Sequence, residues 1–314
     1  MRCQVRLAAR AAIGALLAGV VSACGTGAAV TEQQQATATR ASNPDAAATL
    51  GQLGAFVVEC GKQLRSQELW TVHQGVLRQL THATVGGVAS MGANKAGVVV
   101  YPAIDSAGVN VHVLTPGATA ARVIGPGNAP AVAEDGRIAF VRTDRTKRSL
   151  SDDVYVYDGT HTQKVATFPL VWALFWHRGK LAAQIGPGRT HLVWDVTRPA
   201  RRLTIPGRGW RQIALSPVED LVATDVPVGR GRYDLAVASR ARPRFRPIAH
   251  NLYALAWSPL GDSLLGGAFP PSSGLSVVDV RRRVVTARAG VLPCRGHVLQ
   301  AAWLPRGTKL PSTS

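Results

Sequence analysis

From about residue 52 onward the apolar positions fall into short blocks separated by turn-forming Gly, Pro, Asp and Asn, and no long helical period runs through them. One block recurs as a short apolar strand often closed by Asp: Asp153–Asp158, His191–Asp195 and Leu275–Asp279. Weaker copies are Glu68–His73, Asn110–Thr115 and Asp234–Ser239. Their last residues lie at 73, 115, 158, 195, 239 and 279, so the spacings are 42, 43, 37, 44 and 40. A period in this range marks a repeat architecture in which each unit covers its neighbour's apolar face.

A second block is a turn followed by an apolar strand. It runs through Glu134–Phe140, Trp176–Ala182, Ser216–Ala223, Ala256–Leu265 and Trp303–Leu310. In the sharpest copy, Trp257-Ser258-Pro259-Leu260-Gly261-Asp262, proline pre-sets the first turn dihedral and glycine tolerates the reversal. Alternation within the strands is imperfect, as expected where both faces are covered. The weak helical stretch from Gln63 to Leu80 reads better as two strands.

Trp-Ser-Pro-x-Gly, a buried strand, Val-x-Val-x-Asp and a charged turn together resemble the TolB-type propeller repeat, a relative of WD40. The resemblance covers roughly residues 52 to 310, with Val218-Glu219-Asp220 in place of the usual Asp-Gly and no acidic residue before Arg178-Gly179. It implies an all-β, six-bladed β-propeller of four-stranded blades. Seven blades is the alternative, with an irregular blade near residues 200 to 212. The start (Ala55–Val58, Glu68–Val72, Val76–Thr81) reads as the last three strands of a blade, and Val298–Trp303 as a first strand. One blade shared by both termini would close the ring and leave no open end. Cys60 and Cys294 lie beside that blade, and a disulfide between them is expected in an oxidising compartment; two separate buried thiols is the alternative.

The N-terminus reads differently. Arg2, Arg6 and Arg10 precede 11 largely apolar residues, Ala11–Val21, and then Val21-Ser22-Ala23-Cys24. This is a signal-peptide pattern, too short to span a bilayer, and its end resembles a bacterial lipobox. The resemblance implies a leader over 1–23, a lipid-bearing Cys24 acylated by palmitate-like chains, and a membrane-anchored protein on the extracytoplasmic face. Residues 24–50 lack aromatics and any sustained apolar period, so a flexible stalk is expected, with a short Ala-rich helix as the alternative. The propeller domain is assigned to 51–314.

Charge narrows the partners. The net charge is +18, or +15 once the three leader arginines are set aside, with 30 Arg against 6 Lys. Such a surface attracts anions. Beyond a membrane these are lipid headgroups, acidic polymers or another envelope protein, and nucleic acid is not expected. Arg240, Arg242, Arg244 and Arg246 form the densest cluster, and Arg281-Arg282-Arg283 occupies a tight turn; both read first as solvated loop charge.

Catalytic signatures are missing from the sequence. It contains no Gly-x-Ser-x-Gly, no His-Glu-x-x-His and no Cys-x-x-Cys, so neither cofactor nor metal is expected. Gly125-Pro126-Gly127, Gly186-Pro187-Gly188 and Gly229-Arg230-Gly231-Arg232 read as turns. His82, His250 and His297 each precede an expected innermost strand and are candidates for contacts at the channel mouth, or else for polar contacts that fix blade geometry. Asp158, Asp195 and Asp279 recur by blade position and read as turn caps rather than catalytic groups. Two function classes follow: a non-catalytic binding or scaffold module, which TolB-like propellers resemble, or a propeller hydrolase acting on an envelope carbohydrate or ester. With only 18 acidic residues the first is preferred. Two carboxylates converging in the channel would favour the second.

Overall fold

The computed structural model describes residues 44–61, 67–81, 91–106, 108–144, 151–186, 189–200, 202–208, 211–229, 232–268, 274–292 and 297–311. The expected leader, Cys24, His82 and Cys294 lie outside the described residues.

A helix α1 (Pro44–Leu53) leads into β1 (Ala55–Gly61), β2 (Gln67–His73) and β3 (Val76–Gln79). Blade I follows as β4 (Gly92–Ala93), β5 (Val99–Asp105), β6 (Gly108–Leu114) and β7 (Arg122–Pro126). Blade II is β8 (Asn128–Val132), β9 (Ile138–Asp144), β10 (Ser151–Tyr157) and β11 (Thr162–Phe168). Blade III is β12 (Val171–His177), β13 (Lys180–Ile185), β14 (Arg189–Val193) and β15 (Arg202–Arg208). Blade IV is β16 (Ile213–Leu215), β17 (Leu221–Gly229), β18 (Arg232–Ser239) and β19 (Arg246–His250). Blade V is β20 (Leu252–Trp257), β21 (Ser263–Ala268), β22 (Gly274–Asp279) and β23 (Val284–Val291), and β24 (His297–Leu304) ends the series.

Each of blades I to V is a four-stranded antiparallel meander. The sixth sheet has the order β24-β1-β2-β3, so the last strand of the chain is the innermost strand of the blade begun at the N-terminus. The protein is therefore a six-bladed β-propeller closed by strands from both ends. A seventh blade near 200–212 is ruled out, because β15 is the outer strand of blade III. The six repeat strands read from the sequence are β2, β6, β10, β14, β18 and β22, the third strand of every blade.

The burial gradient explains why alternation was imperfect. All six residues of the inner strand β20 and all seven of the second strand β1 are buried, whereas the outer strand β11 is exposed over most of its length. Inner strands are largely covered by neighbouring blades, and exposure rises toward the outer strands. The core is correspondingly divided into six apolar clusters, one per blade interface. Phe56, Val58 and Trp70 of the closing blade pack with Tyr253, Leu255 and Leu265 of blade V. On its other side Ala55, Val57 and Leu69 pack with Val99 and Tyr101 of blade I.

The expected stalk over 24–50 ends earlier than the sequence suggested, since helix α1 already starts at Pro44. Proline suits a first helical position, and the Ala46-Ala47-Ala48 run has the highest helix propensity. Packing decides the outcome: Leu50 is fully buried in the closing-blade cluster, worth about 1.5–3 kcal/mol. Gly51 permits the close approach, because a Cβ there would lie 2.2 Å from the backbone nitrogen of Gly75 in the β2–β3 turn.

Candidate functional site

In a meander the first-to-second and third-to-fourth turns share one end of the sheet. At that end of the ring the six inner strands surround a central cavity of about 240 Å³. Each contributes to the wall: Ala93 from β4, Val132 from β8, Phe175 from β12, Leu215 from β16, Leu255 from β20 and Ala302 from β24. These strands meet at the axis because each carries apolar residues toward both neighbours. Most of the lining side chains are apolar, yet the surface that the cavity meets is polar and apolar in equal measure.

Polar side chains are few among the lining residues. Lys95 and Glu134 sit at the rim on adjacent first-to-second turns, where Glu134 Oε2 accepts the Lys95 backbone N–H at 3.2 Å. Gln300 Oε1 accepts the Met91 N–H at 2.9 Å, tying the closing blade to blade I. Gln212 is 5% exposed, and its Oε1 has no hydrogen-bond partner among the described residues. An unsatisfied buried acceptor costs about 1–3 kcal/mol. Glu134 is the one carboxylate among the lining residues, so the pair needed for glycoside hydrolysis is not assembled there. Among the described residues no group of three or more His, Cys, Asp or Glu is placed to hold a metal.

The rim is fixed by bonds from blade to blade. Trp176 Nε1 donates to Ala131 O at 3.2 Å, and Trp257 Nε1 to Ala214 O at 2.9 Å, each reaching the inner strand of the preceding blade. Trp303 Nε1 donates to Leu53 O at 3.3 Å, so α1 supplies the acceptor at the closure. His177, 5% exposed, places Nε2 2.9 Å from Asp220 Oδ1 on the next blade, and Arg178 Nη1 reaches the same oxygen at 3.3 Å. The His177 hydrogen bond chiefly holds the Asp220 carboxyl below its ordinary range. In the Ser-Pro-x-Gly-Asp turn Ser258 Oγ donates to Asp262 Oδ1 at 2.7 Å and likewise lowers that carboxyl. Burial pushes the Tyr101 phenol up to about 12 and the Tyr253 phenol higher still.

The repeated aspartates cap turns. Asp158 Oδ1 accepts the N–H groups of Thr160 and His161, Asp195 Oδ1 that of Thr197, and Asp279 Oδ1 that of Arg282. His250 ends the outer strand β19 and pairs its Nδ1 with Asp234 Oδ2 on β18 at 2.9 Å. His297 opens β24, with its buried Nδ1 lacking a partner among the described residues. Neither histidine is among the residues lining the cavity, and the structure does not bring them together there. Sequence reasoning overlooked the lining residues and the Trp and His177–Asp220 bonds. The available signal was position, since Trp176, Trp257 and Trp303 all fall at or next to the end of an inner strand.

No protein-family model matches the sequence, and no curated protein matches it. Solved structures do. TolB from Acinetobacter baumannii superimposes with a TM-score of 0.61 at 13% identity, over 81% of this chain and 67% of that one. An oligogalacturonate lyase in complex with manganese gives 0.50 at 10% identity, over 71% of each chain. The β-propeller domain of the trilobed protease from Pyrococcus furiosus gives 0.46 at 15% identity, over 65% of this chain and 70% of that one. The fold is thus a TolB-like β-propeller.

Proposed function

We propose that the protein is a membrane-anchored extracytoplasmic lipoprotein whose propeller is a non-catalytic binding or scaffold module of the cell envelope. The observation that carries the binding reading is the central cavity. Six inner strands build a wall that is apolar in part and polar in part, and one carboxylate, Glu134, stands at its rim. Such a site suits an inserted segment that carries both apolar and polar groups. Among the described lining residues it holds one carboxylate, not the pair that glycoside hydrolysis would use. The basic surface adds attraction to an anionic partner.

The envelope address rests on the sequence: a basic, apolar leader ending at Val21-Ser22-Ala23-Cys24, with Cys24 as lipid carrier. A Cys60–Cys294 disulfide belongs to the same reading. Cys60 is buried on β1 opposite Val298 of β24, and Cys294 precedes His297, the first residue of that strand. At about 3.3–3.6 Å per residue, a few residues of chain span the required distance. In the chain-entropy view so long a loop contributes about 5–6 kcal/mol.

In-cell crosslinking of the tagged protein, followed by mass spectrometry, tests the function. The expected result is recovery of an envelope protein or envelope polymer. Recovery of nothing envelope-associated would remove the scaffold reading.

A further inference from the structure

A second concavity lies between the closing blade and blade I, at the same end of the ring as α1. It is built by the β2–β3 hairpin (Thr71, His73, Gln74, Arg78), the β6–β7 turn (Gly117) and the segment after β24 (Lys309). Its volume, about 550 Å³, exceeds that of the central cavity and falls in the range of small-ligand sites.

The chemistry of this groove is one-sided. Arg78 and Lys309 bring two positive charges from separate elements, with His73 beside them, and no carboxylate lines the groove among the described residues. The backbone that carries each cation is fixed, while the charged heads reach solvent. Thr71 Oγ1 donates to the Arg78 carbonyl across the hairpin at 3.4 Å. Lys309 belongs to a docked segment: Thr308 is 7% exposed and Leu310 packs against the cluster between the closing blade and blade I. Gly97 (φ +80°) accommodates that segment, because a Cβ there would fall 1.8 Å from the Lys309 carbonyl oxygen. At Gly117 the wall stays open, with nothing within 4 Å of where a Cβ would be.

We propose that this groove binds a phosphate group carried on a larger polar body. A guanidinium fork matches phosphate oxygens in bidentate fashion, and an ammonium adds a mobile point charge. The volume leaves room beyond a single oxyanion for a sugar- or glycerol-sized unit. A phospholipid headgroup and a sugar phosphate share this chemistry. The inference is separate from the partner proposed for the central cavity and does not require the lipid anchor.

The test titrates the purified full-length protein with glucose 6-phosphate and with glucose by calorimetry, and measures co-sedimentation with phosphatidylglycerol and phosphatidylcholine vesicles. The expected result is binding of glucose 6-phosphate but not glucose, or of phosphatidylglycerol but not phosphatidylcholine vesicles, with the positive arm naming the source. Arg78→Gln and Lys309→Gln should each weaken that binding about tenfold or more. An Arg281→Gln/Arg282→Gln control on a remote exposed turn should leave it intact. Both groove side chains are exposed, and unchanged thermal unfolding of the variants verifies that the fold survives. Binding of none of the phosphate probes, or binding that the groove variants leave unchanged, would overturn the proposal.

Discussion

Phe56 and Trp303 face each other across the β1–β24 pair with ring centroids 5.1 Å apart, joining the first strand of the fold to the last. Phe56 is fully buried and Trp303 nearly so. This contact and the Trp303–Leu53 hydrogen bond reinforce the β1–β24 ladder that joins the two ends of the ring.

Phe56→Ala is expected to lower unfolding free energy by about 3–5 kcal/mol, the range for losing a buried aromatic side chain. Val284→Ala, at a half-exposed position on the outer strand β23, should change it by less than about 0.5 kcal/mol. Urea unfolding followed by tryptophan fluorescence measures both. Equal effects would show that the closure carries no special share of stability.

Trp257→Phe keeps an aromatic ring but removes the indole N–H that bonds Ala214 O. The carbonyl is then left in a buried inter-blade contact, so a loss of about 1–3 kcal/mol is expected. Trp172→Phe is the useful comparison, because its Nε1 bonds Gly186 O across its own blade at 3.0 Å in a partly buried setting. A smaller loss there would support the role of the blade-to-blade bond.

How much of this was legible in the sequence depended on the range of the interaction. The third strands announced themselves because their Val-x-Val-x-Asp pattern and the aspartate cap are local, as at Asp279 and Arg282. The closing blade was legible because Ala55–Val58 lacks a preceding strand and Val298–Trp303 lacks following ones. The inner strands were harder: β4 has two residues and β16 three, too few for a period. His177 and Asp220 both lie in copies of the turn-and-strand block, 43 residues apart, and the block does not say that neighbouring copies pair, so their bond emerges only once the blades are stacked. The helix over Pro44–Leu53 was missed as the main reading because its stability comes from where Leu50 lands, not from its composition.

Acid should act first at the turns. Two backbone N–H groups and the Thr160 hydroxyl hold the Asp158 carboxyl at about 2, against an ordinary 3.8. Because the folded value is the lower one, the stabilisation is complete above about pH 4 and lost as the pH falls toward 2. Asp220 and Asp262 are shifted the same way and add to this loss. A carbon-detected NMR titration of the aspartate carboxyls should find the Asp158 midpoint well below that of an unstructured peptide. A midpoint at or above 3.8 would contradict the capping geometry.

The proposed envelope chemistry is read from mass. The mature protein should begin at Cys24 carrying acyl chains, and Cys24→Ala should abolish both processing and membrane fractionation. A non-reduced digest should contain one peptide pair joining Cys60 to Cys294, which reductant separates. Free thiols at both positions would remove the covalent closure, leaving the noncovalent one tested by Phe56→Ala.

The binding role of the central cavity is tested most directly by a photo-crosslinking residue placed in living cells at Phe175 on the cavity wall and, in parallel, at Val285 on the exposed outer strand β23. The account predicts a discrete adduct with an envelope component from position 175 and none from position 285. Adducts from 285 alone, or identical adducts from both positions, would contradict it.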